Sequence, residues 1–233
     1  MGQILLVRHG QATTHGADYD LLTPLGERQS RLLGEWFARV GRGRGRMVTG
    51  SLRRHRQTLD GFLLGLGKGE APAPVVDAGF DEFDFVDVLR RFDPRFTDFA
   101  SIVRFITTAA DPAWTFREVF GAAVGAWVTG GETGGYRESW PAFRGRVTDA
   151  LTRLAADLER NEEAMVFTSG GAIAVVCAEV LGVEPARVFD LNAATINTGV
   201  TRIAVDGGRL SLAGFNAAAH LELPGEPGLI TRR

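Results

Sequence analysis

Residues 3–11 read QILLVRHGQ, and the fold turns on how this stretch is read. Four consecutive apolar residues, Ile4 to Val7, suit a short strand buried on both faces. Such a strand delivers Arg8, His9 and Gly10 to its carboxyl end, the edge at which α/β sheets bind ligands. Two further segments are predicted to finish in the same way. MVT (47–49) runs into Gly50-Ser51-Leu52-Arg53-Arg54, and VFT (166–168) runs into Ser169-Gly170-Gly171. Both continue into helices, whose first turns offer unpaired N–H groups and a partial positive charge to an oxyanion. With arginines alongside to bind phosphate in bidentate fashion, the three ends assemble into an anion pocket containing one imidazole.

Working outward, TPLGERQSRLLGEWFARV (23–40) has a helical apolar period, with Thr23 and Pro24 as cap and first residue. LRRHRQTLDGFLLGL (52–66) is predicted helical and VVDAGFDEFDF (75–85) strand and loop. ESWPAFRGRVTDALTRLAADLE (138–159) and AIAVVCAEVLG (172–182) read as helices flanking the strand AMVFT (164–168). GVTRIAVDGGRLSLAGFN (199–216) alternates around Asp206-Gly207-Gly208, a hairpin signal. Between about 83 and 137 lies the least regular region, with helical pieces at 96–109 and 114–128. Nine of the fifteen phenylalanines fall between residues 80 and 120, a density that suits a second layer or cap better than a solvated linker. Strands alternating with helices predict an α/β fold: a three-layer sandwich with a mostly parallel central sheet flanked by helices, and an antiparallel strand added at one edge. The expected organisation is a single domain over 1–233 with a helical insertion or cap at about 83–137.

Composition narrows the partners. The chain has 233 residues, 26 basic and 28 acidic, and a formal charge of −2, so nothing in the balance points to nucleic acid or an anionic membrane. GRGRGR (41–46) lacks the aromatic platforms of a single-strand binder and reads as a solvated loop. GLGKGE (65–70) follows a helix and lacks the phosphate-loop spacing, so it reads as a helix cap and turn. The single cysteine, Cys177, sits in an apolar run as a small buried hydrophobe. No metal signature is present. There is no run of 18 apolar residues, and structural sequence begins at residue 3, so a cytoplasmic protein is expected. An exposed sheet edge would permit a homodimer.

RHG at a strand end, followed by LTPLGERQ, then SLRRHRQT, then the glutamate of FDEF, resembles the histidine phosphatase superfamily, with its phosphoglycerate-mutase-like fold. The resemblance runs from Arg8 through GYRES and SGG to NAAAHL. It implies a metal-independent phosphomonoesterase without a cofactor, acting on a small phosphorylated substrate through a phosphohistidine. His9 would be the nucleophile, held uncharged by neighbouring Arg8 and Arg54, which also bind phosphate. Glu82 falls where the family's proton donor to the leaving oxygen lies, with Asp81 and Asp84 as close alternatives. Gln11 and His15 fall at substrate-side positions. Thr23 is either a helix cap or a phosphate contact, and Arg53 and Arg56 read as solvated helix residues. Glu138 falls at a position expected to start a helix or support an arginine.

The resemblance breaks at Ser169, where the family carries a histidine before two glycines that donates to the phosphoryl group. Three readings follow. Ser169, with the N–H groups of Gly170 and Gly171, replaces that donor; or His55 or His220 reaches the pocket from elsewhere; or the protein binds phospholigands without efficient turnover. Retention of Arg8, His9, Arg54 and Glu82 favours a working phosphatase over a non-catalytic binding or regulatory protein. A mutase, which must exclude water, is less favoured.

Overall fold

The computed structural model describes residues 1–13, 20–69, 72–130 and 134–232. Its sheet has six strands in the order β3-β2-β4-β1-β5-β6: β1 (Gly2–Arg8), β2 (Arg46–Thr49), β3 (Val75–Val76), β4 (Glu163–Thr168), β5 (Val200–Asp206) and β6 (Arg209–Ala217). β1 to β4 pair in parallel, β5 runs antiparallel to β1, and β6 antiparallel to β5. The predicted hairpin therefore contributes the two outer strands on that side. It turns at Gly207 and Gly208, whose φ angles of 54° and 83° match a two-residue turn with both central residues left-handed.

Alternation along the strands sorts the core into two layers. Leu5, Val7, Met47, Met165 and Phe167 face one side, where α1 (Pro24–Arg39) and α2 (Arg53–Leu66) cover them with Leu33, Phe37, Leu59, Phe62 and Leu66. Ile4, Leu6, Val48, Ala164 and Val166 face the other, beneath α6 (Trp140–Ala156) and α7 (Gly170–Leu181). The three-layer sandwich is as expected. α7 is buried along most of its length, and Cys177 within it is fully enclosed, its thiol pushed up to about 12 by burial.

The irregular region is more helical than its sequence suggests. α3 (Phe85–Phe92), α4 (Phe99–Thr107) and α5 (Pro112–Thr129) are each started by an aspartate, Asp84, Asp98 and Asp111, accepting from a first-turn N–H. The segment read as strand and loop at 75–85 keeps only two strand residues before a 3-10 turn at Ala78–Phe80. Phenylalanines here pack mainly on one another. Phe83 stacks on Trp127 at 4.7 Å and meets Phe143 and Phe189 edge-on, so the aromatic density builds core. Trp114 and Phe116 stay exposed. α8 (Val188–Ala194) and the short α9 (Ala219–Glu222) complete the helices among the described residues.

Candidate active site

Arg8 and His9 leave the end of β1 between β4 and β5, at the centre of the sheet. His9 Nδ1 lies 2.7 Å from the carbonyl oxygen of Gly10. A carbonyl only accepts, so Nδ1 carries the hydrogen and Nε2 keeps its lone pair. The ring is buried, and burial together with Arg54 and Arg8 holds its pKa well below the ordinary histidine value. Asn197 Nδ2 donates to the His9 carbonyl at 3.0 Å, and the Thr198 N–H to that of Arg8, so the turn after β1 is anchored from behind.

The two guanidinium groups are fixed from opposite sides. Arg8 Nη1 donates to the Thr195 carbonyl at 2.5 Å, and Arg54 Nη1 pairs with Asp20 Oδ1 at 2.8 Å. Nε of each is buried without a hydrogen-bond partner among the described residues. Burial and the nearby Arg54 lower the Arg8 pKa to about 10, with Glu82 opposing, so Arg8 stays charged at neutral pH. Arg53 and Arg56 are exposed, as their helical positions imply.

Glu82 follows the 3-10 turn after β3 and enters the same pocket. Gly171 N–H donates to its Oε2 at 3.1 Å, and a Cβ at Gly171 would come within 2.1 Å of Oε1, so only glycine lets the carboxyl approach α7. Burial raises the Glu82 pKa, although the Gly171 N–H, Arg54 and Arg8 pull the other way. Of the two alternatives, Asp84 is occupied as the cap of α3, and Asp81 turns toward Ser51 and His55. Arg146 holds the whole loop: it pairs with Glu138 through two bonds and donates to the carbonyls of Ala78, Gly79 and Asp81. Glu138 thus supports an arginine, as expected.

The remaining positions divide. Ser169 is fully buried at the end of β4, with Gly170 starting α7 beside it. Thr23 Oγ1 accepts from Gly26 N–H, which makes it the cap of α1, and also donates to Gln11 Oε1 at 2.9 Å. His15 lies outside the described residues. His220 is buried against Thr198 Oγ1 at 2.8 Å, behind the β1 turn, and does not enter the pocket. His55 does: its ring centroid is 6.0 Å from that of His9, and its Nε2 is 2.6 Å from Ser169 Oγ. Asp20 and the Thr195 carbonyl were not anticipated, because each meets its arginine only through tertiary folding.

Three buried histidines with lowered pKa values are expected to make the fold acid-labile. Burial lowers the pKa of His9, of His55 and of His220, the last to about 4. Below about pH 6.5 the unfolded chain takes up protons that the folded chain refuses, so stability falls with pH. Over the range down to about 4, His220 alone accounts for on the order of 3 kcal/mol. Thermal melts should show a marked loss between pH 7.5 and 4.5, blunted in His220→Gln; an unchanged slope in that variant would contradict this account.

Comparison with known proteins bears on family and fold. The family model described as histidine phosphatase superfamily (branch 1) matches residues 4–94 and 110–218. Among solved structures, phosphoserine phosphatase from Entamoeba histolytica, in complex with phosphoserine, is 18% identical, with a TM-score of 0.62 over 95% of this chain and 100% of the other. Bacillus stearothermophilus YhfR is 18% identical at 0.64, over 95% and 100%. Mycobacterial glucosyl-3-phosphoglycerate phosphatase is 19% identical at 0.60, over 93% and 99%. No curated protein matches the sequence significantly.

Proposed function

From the premise that this chain belongs to the histidine phosphatase superfamily and is an enzyme of phosphatase type, we propose that it hydrolyses small phosphomonoesters through a phosphohistidine on His9. One observation supports this reading: His9 is buried beside Arg54 and Arg8, which with burial lower its pKa, and its Nδ1 lies 2.7 Å from the Gly10 carbonyl, which leaves Nε2 free to attack. The guanidinium groups hold the non-bridging oxygens and stabilise the charge that spreads over them as the P–O bond loosens. Nε2 forms the new bond to phosphorus as the ester oxygen leaves, and Glu82, whose pKa burial raises, gives that oxygen its proton. The Glu82 carboxylate then takes a proton from the water that attacks phosphohistidine, which returns phosphate and the starting enzyme. Ser169 and the Gly170 amide serve as further donors. Gln11, Thr23 and His15 are assigned to the substrate side, and the helical segment at about 83–137 to a cap.

Purified protein should hydrolyse p-nitrophenyl phosphate in the presence of EDTA. Rapid acid quench of labelled substrate should trap phosphoprotein with the acid lability of phosphohistidine. Saturable phosphate binding without turnover or trapped label would defeat the proposal and leave a binding protein.

A further inference from the structure

His55 occupies a costly position. It lies on the apolar stripe of α2, in line with Leu59, Phe62 and Leu66, and is fully enclosed. An imidazole there loses hydration that a leucine would not need to recover. Its surroundings are arranged for it. Nε2 is 2.6 Å from Ser169 Oγ, and Nδ1 faces Asp81 Oδ1 at 3.7 Å. Asp81 is in turn fixed by the Ser51 N–H at 2.6 Å and by the Ser51 hydroxyl. Gly50 makes the room, because a Cβ there would come within 2.2 Å of His55 Nδ1 and 2.6 Å of Asp81 Oδ1. Ser169 is the N-cap residue of α7 yet makes no capping bond. Its hydroxyl turns instead to His55, with Arg54 Nη2 at 3.4 Å.

We propose that Asp81, His55 and Ser169 form a relay that presents the Ser169 hydroxyl hydrogen to the transferring phosphoryl group, with His55 as the positioning residue behind it. This rests on the phosphatase reading above. With His55 neutral and Nδ1–H facing the Asp81 carboxylate at 3.7 Å, beyond hydrogen-bond distance and with no other hydrogen-bond partner among the described residues, Ser169 Oγ–H donates to Nε2. When the phosphoryl group enters, a proton from the monoanionic ester or from solvent goes to Nε2. The imidazolium is balanced by Asp81 on one side and the phosphoryl charge on the other. Nε2–H then donates to Oγ, Arg54 donates to its second lone pair, and Oγ–H is free for a phosphoryl oxygen. Every donor and acceptor on the hydroxyl is used. The imidazole absent from the end of β4 is thus supplied from α2, one atom further back.

The test is an exchange of positions. Ser169→Ala, His55→Ala and His55→Gln should each lower kcat at least tenfold, and the alanine variants about 10²–10³-fold, with a smaller change in KM. The Ser169→Ala/His55→Ala pair should lose little more than either alone, as members of one unit do. Ser169→His alone should lose activity, because its ring meets His55. Ser169→His combined with His55→Ala should recover kcat to within about tenfold of the parent, a rescue that a merely structural role would not give. His55→Gln fills nearly the same space and guards against a collapsed His55→Ala. Wild-type kcat in a folded His55→Gln, or an exchanged pair no better than His55→Ala, overturns the relay. So does acid-stable label lost in Ser169→Ala, which would make the serine a nucleophile. If the parent forms acid-labile phosphoprotein while these variants turn over normally, the relay alone fails; a parent with no turnover removes both proposals.

Discussion

Replacing His9 with alanine is expected to lower kcat by about 10⁴-fold or more and to erase acid-labile phosphoprotein, while the Kd for inorganic phosphate stays within about tenfold. The asymmetry follows from how the pocket is built. In the proposed mechanism phosphate affinity comes from Arg8 and Arg54, each anchored without His9, through Thr195 and Asp20. The proposed covalent route runs through Nε2 alone. Without it, water must attack in one step, aided only by the donors that remain. Because burial and both arginines hold the His9 pKa well below its usual value, the acid limb of kcat/KM in the parent should lie well below pH 6.5. Isothermal titration with phosphate and a quenched-flow label experiment measure the two halves. Equal loss of binding and turnover would show that the pocket had collapsed, and retained phosphoprotein would place the nucleophile elsewhere.

Much of this site is visible along the chain. Arg8, His9 and Gly10 stand directly after four apolar residues, and a strand end in a parallel sheet is a place local pattern can find. Arg54 is distinguishable from Arg53 and Arg56 because it shares a helical face with Thr58, four residues on, whereas the other two point outward. The same periodicity places His55 with Leu59, Phe62 and Leu66, so its burial could have been read. Its purpose could not, because Ser169 lies 114 residues away and joins it only when β2 and β4 pair. The Asp20–Arg54 pair is equally non-local. Phenylalanine density between 80 and 120 was ambiguous for a different reason: apolar rings report burial, and only coordinates show that they face one another.

Ser169 and Gly50 bound the His55 ring from two sides. A serine at the end of β4 is small enough to leave the space that the His55 ring fills, and Gly50 leaves the space on the ring's other side. Neither position would accommodate a larger side chain without displacing the imidazole.

Glu82→Gln should lower kcat about 10²–10⁴-fold for alkyl phosphates, much less for p-nitrophenyl phosphate, and should raise the melting temperature at pH 8. The first effect follows from proton donation. An alkoxide needs a proton as it leaves and a nitrophenolate does not, so leaving-group sensitivity should increase in the variant. The second follows from linkage. Burial raises the Glu82 pKa above its unfolded value, so its stabilising contribution is complete at low pH and is lost as pH rises through the folded-state pKa. Once pH passes that pKa, the parent carries a buried carboxylate only partly compensated by the Gly171 N–H, Arg54 and Arg8; glutamine keeps the shape and removes the charge. The basic limb of kcat/KM that belongs to Glu82 should disappear with it. Activity and stability then move in opposite directions from one substitution, as expected where a site tolerates an unfavourable charge for its chemistry. A variant that is slower toward both substrates by the same factor, or less stable at pH 8, would remove Glu82 from the acid role.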